Sequence, residues 1–170
     1  TAVNKITCKD NIVLTSNEKI TTMSAKVFLQ MANSYTTNSN LINKNTTMNN
    51  TVNATLNELV ANEKLSDKKY LSSIVEDIKS VNVISKNFDA TLRKVTDKAA
   101  RLKELLSALD TAFVNRDMEE VERLQKLIKG SVKYISKTND ILKSLNDTGE
   151  AIIAKETKAE DDSAATFIGE

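Results

Sequence analysis

The chain has 170 residues, of which 24 are Lys or Arg and 23 are Asp or Glu, so its formal net charge is +1. A balance this close to neutral provides no overall attraction to nucleic acid or to an anionic membrane surface. Proline is absent, glycine occurs three times, and only 4% of the residues are aromatic. This scarcity of helix breakers permits very long helices and argues against a turn-rich β fold.

The composition also excludes several kinds of catalytic and metal site. The chain has no histidine and a single cysteine, Cys8. Ser–His–Asp and Cys–His triads, internal disulfides and zinc sites built on imidazole or several thiolates are therefore excluded. Three glycines are too few for a P-loop or a dinucleotide-binding loop. We expect a non-enzymatic protein with no catalytic residues, no metal and no cofactor, in which Cys8 is an incidental thiol rather than an intermolecular bridge.

The beginning of the chain predicts a lead-in followed by the start of a helix. Residues 1–14 mix Thr, Asn, Lys and scattered apolar residues without a clear period, which predicts an irregular or short extended segment. Thr15-Ser16-Asn17-Glu18 then has the form of a capping box, in which the Thr15 hydroxyl accepts from the backbone N–H of Glu18. This motif predicts that a first helix, helix A, begins near residue 15 and runs to about residue 64.

Helix A is predicted from a heptad track in which asparagine replaces several apolar residues. The apolar members are Phe28, Met31, Tyr35, Ile42, Val52, Leu56 and Leu59, and the asparagines are Asn38, Asn45 and Asn49. Between Asn33 and Asn57 the sequence is dominated by Asn and Thr, which each cost roughly 0.5 kcal/mol against Ala in a helix interior. Two interpretations remain: a continuous helix, favoured because the heptad phase agrees on both sides, and a helix broken by a polar loop near residues 36–47.

Helix B is predicted over residues 67–114, with Ser66 as its cap, and it carries the most regular apolar pattern of the chain. Its heptad seam is Leu71, Ile74, Ile78, Val81, Ser85, Phe88, Leu92, Val95, Ala99, Leu102, Leu106, Leu109 and Phe113. The seam is flanked by further apolar residues, among them Val75, Ile84, Leu105 and Ala112. An apolar face this wide needs two neighbouring helices, which favours a bundle of three or more helices over a dimeric zipper.

Helix C is predicted to return antiparallel to helix B after a tight turn at residues 115–117. Asp117 and Glu120 form a second capping-box arrangement, and Glu119–Arg123 and Glu122–Lys126 are expected ion pairs. The seam of helix C is Val121, Leu124, Ile128, Ser131, Ile135, Thr138, Leu142 and Leu145, widened by Leu127, Tyr134 and Ile141. Asn146-Asp147-Thr148-Gly149 is expected to end or kink the helix, and residues 158–170 predict an acidic flexible tail.

The sequence thus predicts an all-α fold, an elongated antiparallel bundle of three long helices with coiled-coil-like heptad packing. A single domain is expected over residues 15–157, with helix C running over 117–146 or beyond. No internal repeat and no resemblance to a known family accompany this pattern.

Two sets of polar residues are candidate binding surfaces. The first is a polar face of helix A, for which asparagine at seam positions suggests a role in partner choice or register: Asn38, Asn45, Asn49 and Asn53. The second is a basic stripe on helix B that suits phosphate or glycan sulfate: Lys86, Arg93, Lys94, Lys98 and Arg101. A solvated helix face is the favoured interpretation of this stripe, because Asp89, Asp97 and Glu104 interleave with it and no aromatic residues accompany it. N-glycosylation sequons occur at Asn45, Asn49, Asn53 and Asn146, about as many as chance predicts in so polar a sequence.

The function expected first is that of a non-enzymatic rod that binds another protein through helix faces or tips. A first residue other than Met gives a lean toward a secreted or cell-surface microbial protein, with a soluble cytoplasmic protein as the other option. The alternatives are a self-assembling coiled-coil module, an apolar-ligand carrier with Val81, Val95 and Ala99 beside a cavity, and a soluble fragment of a secretion-system tip or translocator protein. The expected partner is a protein; the sequence carries no specific nucleic-acid signal and no transmembrane segment, and the chain is expected to be a monomer or a dimer.

Overall fold

The computed structural model describes residues 4–7, 13–16, 25–61 and 68–169. The elements in these ranges are two strands, β1 (Asn4–Thr7) and β2 (Val13–Ser16), followed by three helices, α1 (Ala25–Ala61), α2 (Lys68–Val114) and α3 (Met118–Gly169). The predicted all-α helical bundle is confirmed for the three helices. No helix within these ranges has a stretch that is long and apolar enough to cross a membrane.

The two strands replace the predicted start of helix A. β1 and β2 pair antiparallel, with Lys5 opposite Thr15 and Thr7 opposite Val13. Thr15 therefore belongs to a sheet rather than to a helix cap, and the predicted helix start near residue 15 is wrong, because α1 begins at Ala25. Of the predicted capping box, Glu18 lies outside the described residues. The short extended form considered for the lead-in is found at residues 4–7.

α1 is a continuous helix through the Asn- and Thr-rich stretch. The interpretation with a continuous helix is thus confirmed, and the polar loop at residues 36–47 is wrong. Threonine hydroxyls along the exposed side of α1 donate to the carbonyl four residues earlier, as Thr51 does to Thr47. Asparagines on its inner side are bonded to other helices, which offsets part of their low helix propensity.

Contacts divide the chain into two compact units. Unit 1 consists of Thr1–Ile42 and Ala90–Leu142, and unit 2 consists of Asn43–Asp89 and Lys143–Glu170. Each unit contains one segment of every helix. The sequence predicted one domain over 15–157 and gives no sign of this division, because the heptad pattern runs unbroken through it.

In unit 1, α1 and α3 run parallel. Ser34 lies beside Ser136, and Asn38 is bonded to Asn139, so the residue numbers rise together along both helices. The predicted seams fill its core with fully buried side chains: Met31, Tyr35, Val95, Ala99, Leu102, Leu109, Ile128, Ile135 and Leu142. Phe113, the last member of the α2 seam, is 47% exposed, because α2 ends one residue later and offers it little to pack against.

In unit 2, the core is a cluster of aliphatic side chains from all three helices. Met48, Val52 and Val81 are buried, and Ile78, Ile84, Ile152 and Ile153 pack against them. Gly149 of α3 faces this cluster, and a Cβ at this position would clash with the Met48 thioether and lie 3.7 Å from Ile84 Cγ2. Because Gly149 has no side chain, the Met48 thioether can pack against the backbone of α3.

The turn between α2 and α3 follows from local backbone chemistry. Arg116 has a φ of 57°, its N–H donates to the Phe113 carbonyl, and the N–H of Asp117 donates to the Ala112 carbonyl. This pair of bonds is a Schellman motif with a left-handed residue at its centre. Asp117 then caps α3, because its carboxylate accepts from the Glu120 N–H at 3.2 Å. The predicted turn and the Asp117 cap are confirmed.

The first turns of α3 differ from the prediction in one ion pair. Arg123 bonds to Glu120, with 2.9 Å between Nε and Oε2, instead of the predicted Glu119. The predicted pair of Glu122 and Lys126 is present, with 3.8 Å between the charged atoms. The Glu120 carboxylate therefore binds Arg123. It does not complete the predicted capping box, because the Asp117 N–H donates to the Ala112 carbonyl instead.

Residues 146–149 were predicted to end or kink the helix, which was expected to run to residue 146 or beyond. α3 does not end there but runs to Gly169. The polar side chains of this stretch are engaged without breaking the helix. Asn146 accepts from Asn45, Asp147 accepts from Lys143, and the Thr148 hydroxyl donates to the Ser144 carbonyl. The predicted flexible tail at 158–170 is likewise helical through residue 169.

Candidate functional site

In unit 1, the asparagine predicted to lie on a binding face is part of the core. Asn38 is fully buried, and its Nδ2 donates to Asn139 Oδ1 at 2.9 Å. Asn139 is also buried, and its Nδ2 donates to the backbone carbonyl of Ser34 at 2.8 Å. Asn38 therefore holds α1 against α3, and its side chain is buried rather than presented to an external partner.

In unit 2, the other asparagines of the predicted polar face of helix A differ in exposure. Asn45 is buried and donates to Asn146 at 3.1 Å, while Asn49 is half-buried and bonds both Asn45 and Ser85. Only Asn53 is exposed. The predicted face thus keeps a single fully accessible residue, and two of the sequon asparagines, Asn45 and Asn146, are inaccessible to a glycosyl transferase in the folded chain.

The partners of these buried asparagines were missed by the sequence analysis. Asn139 carries no prediction, and Asn146 was predicted only as a sequon and as part of the stretch expected to end or kink the helix. A signal was present, because Asn38 and Asn45 are seven residues apart in α1, as Asn139 and Asn146 are in α3, and both bonds join residues 101 apart. Matching polar positions at one heptad spacing indicate polar pairing between parallel helices.

The predicted basic stripe does not form one surface. Lys86 belongs to unit 2, and the other four residues belong to unit 1. Lys94, Lys98 and Arg101 are three or four residues apart and share one side of α2. Arg93 precedes Lys94 and projects roughly 100° away around the helix. The structure therefore brings three of the five basic residues together.

Beside these three basic residues lies a row of apolar side chains on α3. Leu127, Tyr134 and Ile141 are 41%, 40% and 55% exposed, respectively. They were predicted to widen the seam, yet the corresponding flank of α2 is buried at Leu105 and Ala112. The apolar row and the basic residues Lys94, Lys98 and Arg101 together are called the α2/α3 face below.

One contact joins the two halves of this face. The Lys98 ammonium lies 4.7 Å from the centroid of the Tyr134 ring, which is within the range of a cation–π interaction. Lys98 is half-buried there, so its stem covers part of the ring and its charge stays at the surface. This contact holds the Tyr134 ring across the boundary between α2 and α3.

The charges around the face are unevenly compensated. Arg101 pairs with Glu104 at 3.2 Å, and Arg123 pairs with Glu120. The hydrogen bond from Arg123 lowers the pKa of the Glu120 carboxyl below its usual value. Within the described part of the chain, Lys94, Lys98 and Lys137 form no ion pair. Asp97 lies three residues after Lys94, and Asp140 lies three residues after Lys137, so acids offset part of this charge. The face keeps a small local positive charge in a protein that is nearly neutral overall.

Grooves also occur elsewhere in the described parts of both units. In unit 1, a groove of about 520 Å³ between α1 and α3 is lined by polar residues that include Ser34, Lys129, Lys133 and Asn139. The polar atoms at its base already bond one another, since Asn139 donates to Ser34 and the Ser34 hydroxyl donates to Gln30. A ligand there would have few unsatisfied groups to meet.

The second groove belongs to unit 2, has a volume of about 370 Å³ and lies beside Met48 and Ile153. Neither groove is lined by Val81, Val95 or Ala99, the small seam residues expected beside a cavity for an apolar ligand. These three side chains are instead packed in the cores of the two units.

The described residues were also examined for metal-binding groups, and the chain was compared with known proteins. Among the described residues, no three or more Cys, Asp or Glu side chains are grouped so that they could hold a metal ion. Comparisons with protein-family models, curated proteins and solved structures give no match to this chain.

Proposed function

We propose that the protein is a non-enzymatic binding module that docks a helix of another protein on its α2/α3 face. The observation that supports this proposal is the apolar row of Leu127, Tyr134 and Ile141, which stays 40–55% exposed although its spacing matches that of a buried flank. Flank positions of a helical bundle are commonly filled by Lys or Glu, whose stems cover the core while their charges remain in water.

The geometry of the row suits a helical partner. Residues seven apart lie on one line along a helix, and the row from Leu127 to Ile141 extends roughly 21 Å at 1.5 Å per residue. This length equals about four turns of a second helix, whose own apolar residues would pack against the row. The turn cluster of Phe113, Val114 and Met118, all exposed in the same unit, provides further apolar surface near the end of the bundle.

The experiment begins with a photoreactive amino acid placed at Ile141 to identify the partner, which is then purified. Binding of that partner is measured by calorimetry with the wild type and with Leu127→Ser/Ile141→Ser. We expect the double substitution to weaken binding at least tenfold, because each exposed aliphatic side chain of a docking row contributes on the order of 1 kcal/mol.

Leu29→Ser is the matched control, since Leu29 is also apolar and exposed in unit 1 but lies on α1. It is expected to leave the affinity unchanged. Equal affinities for the wild type and for Leu127→Ser/Ile141→Ser would show that the α2/α3 face is not the binding surface. The secreted or cell-surface location predicted from the sequence belongs to this proposal as well and is checked by fractionating cells that express the protein.

A further inference from the structure

We propose that the occupant of the α2/α3 face is an acidic amphipathic helix, that is, a helix with an apolar stripe bordered by Asp or Glu. This inference rests on the proposed function and adds the chemistry of the partner. It is carried by the placement of charges around the apolar row, by an exposed glycine within the row, and by the poor match of the face to a second copy of itself.

Basic residues border the apolar row on both sides. On α2, Lys94 and Arg101 lie next to Lys98, which contacts Tyr134. On α3, Lys137 lies three residues after Tyr134 and four before Ile141, and is therefore adjacent to both. Positive charge on both sides of the row complements a partner whose apolar stripe has carboxylates on either side.

Gly130 leaves an open space beside the apolar row that no other side chain of the described residues fills. It lies three residues after Leu127 and four before Tyr134, so it shares their side of α3. A Cβ at Gly130 would meet nothing within 4 Å, whereas a Cβ at Gly149 would clash with Met48. A glycine inside a helix costs about 1 kcal/mol against alanine. Packing among the described residues does not require glycine at this position. The close approach of a partner helix would require it.

A second copy of the chain is a poor occupant. A two-fold symmetric interface places the same patch of both subunits against each other. The basic borders of the α2/α3 face would then meet basic borders, and like charges in an interface disfavour association. An anionic membrane is also a poorer match, because the row is one residue wide and half-buried, whereas membrane-bound helices insert a broad apolar face.

The test uses designed peptides of about 24 residues with a single apolar stripe of Leu and Ile at heptad spacing. Three versions carry Glu, Gln or Lys at the positions beside the stripe, and each is first shown to be monomeric. Fluorescence anisotropy then measures their affinity for the full chain. We expect the Glu peptide to bind about tenfold more tightly than the Gln peptide, the Lys peptide to bind most weakly, and added salt to reduce the differences.

A charge-reversed variant makes the test specific for this face. Lys94→Glu/Arg101→Glu is expected to invert the order, so that the Lys peptide binds most tightly. Lys26→Glu/Lys129→Glu is the matched control, since it changes the net charge equally at exposed positions of unit 1 that are not adjacent to any residue of the α2/α3 face. It is expected to preserve the preference for the Glu peptide. Gly130→Gln is expected to weaken binding of the Glu peptide while raising the melting temperature, a combination that misfolding cannot produce.

The possible results separate the two proposals. Equal binding of the three peptides, with loss of binding in Leu127→Ser/Ile141→Ser, would overturn the acidic partner and leave the docking face intact. If no peptide bound at millimolar concentration, the proposal of an acidic partner helix would also be wrong. The docking face would still be tested separately, by the binding of the purified partner to the wild type and to Leu127→Ser/Ile141→Ser. Tighter binding to phosphatidylglycerol vesicles than to the Glu peptide would assign the face to a membrane. A dimer that is lost in Leu127→Ser/Ile141→Ser would assign it to a second copy.

Discussion

Arg116 shows how a single residue can carry a structural cost for a tight turn. Its φ of 57° belongs to the left-handed region, where a side chain costs roughly 1–2 kcal/mol because Cβ crowds the neighbouring carbonyl. Helices that end in a Schellman motif usually place glycine at this position. The bonds from Arg116 and Asp117 back to α2 hold the residue there in spite of that cost.

We expect Arg116→Gly to stabilise the protein by roughly 0.5–1 kcal/mol, since the relief of the backbone strain exceeds the extra entropy of glycine in the unfolded chain. The measurement is the free energy of unfolding in urea. Arg116→Ala is the control, because it removes the guanidinium but keeps Cβ, and it is expected to give no gain. A gain of the same size in both variants would mean that charge, rather than φ, is responsible.

Gly130 and Gly149, both within α3, provide a second prediction about single residues, namely the change in stability when each is replaced by alanine. Gly130→Ala is expected to stabilise the free protein by about 1 kcal/mol, because alanine has the higher helix propensity and the new methyl group meets nothing. Gly149→Ala is expected to destabilise it by about 1 kcal/mol, because overpacking against the buried Met48 outweighs the same gain.

Thermal and urea unfolding of both variants measure this difference directly. The opposite signs are the diagnostic result, since the two substitutions are chemically identical and lie in the same helix. If Gly149→Ala stabilised the protein as much as Gly130→Ala, Met48 would have to have another position of equal energy.

At the scale of the element, the weakest helix by sequence is held by polar bonds to its parallel neighbour. α1 has few charges and many residues of low helix propensity, yet it is continuous over 37 residues. The buried bond between Asn38 and Asn139 is satisfied only in one register of α1 against α3. Such a pair favours one register because any shift leaves buried amides without partners.

We therefore expect Asn38→Ala to destabilise the protein by roughly 1–3 kcal/mol, as the Asn139 amide loses its partner in the core. Asn38→Leu/Asn139→Leu is expected to restore or exceed the stability of the wild type, because an apolar pair needs no hydrogen bonds. Asn40→Ala, at an exposed position of α1, is the control and is expected to be neutral or slightly stabilising.

Urea unfolding of Asn38→Leu, Asn139→Leu and the double variant Asn38→Leu/Asn139→Leu completes a double-mutant cycle. Additive effects would show that the asparagines do not act as a pair. A double variant as unstable as Asn38→Ala would show that the site needs polar side chains for another reason than their mutual bond.

For the whole molecule, the distribution of charge matters more than its sum. The net charge is only +1, but the α2/α3 face collects basic residues without an equal number of acids. A surface of this kind repels its own copy and attracts an acidic partner. The same surface is apolar along its centre, so its exposure in water is tolerated only because it is narrow and bordered by charge.

This argument predicts a monomer at tens of micromolar concentration and physiological salt. Light scattering coupled to size exclusion should give a mass near 18.8 kDa across that range. A mass that rises with concentration in the wild type but not in Leu127→Ser/Ile141→Ser would contradict the prediction and identify the α2/α3 face as a dimer interface.

The sequence by itself determined the features that depend on neighbours along the chain. The heptad seam of α2 predicted a helix that ends at Val114, and Asp117 predicted the start of α3, because helical period and capping act over a few residues. A continuous α1 was the favoured of two interpretations of the sequence, since its heptad phase is maintained across the asparagines, and the structure decided between them.

The tertiary structure alone decided the features that depend on a second element. Thr15 has the sequence context of a helix cap, but pairing with β1 makes it part of a strand. Leu105 and Tyr134 hold equivalent flank positions, yet one is buried and the other is 40% exposed. Helical period places a side chain on a face but does not say whether another helix covers that face. The heptad spacing of the asparagines is compatible with their pairing, but only the packing of α1 beside α3 makes the bonds. The exposure of the α2/α3 face is likewise a product of that long-range packing.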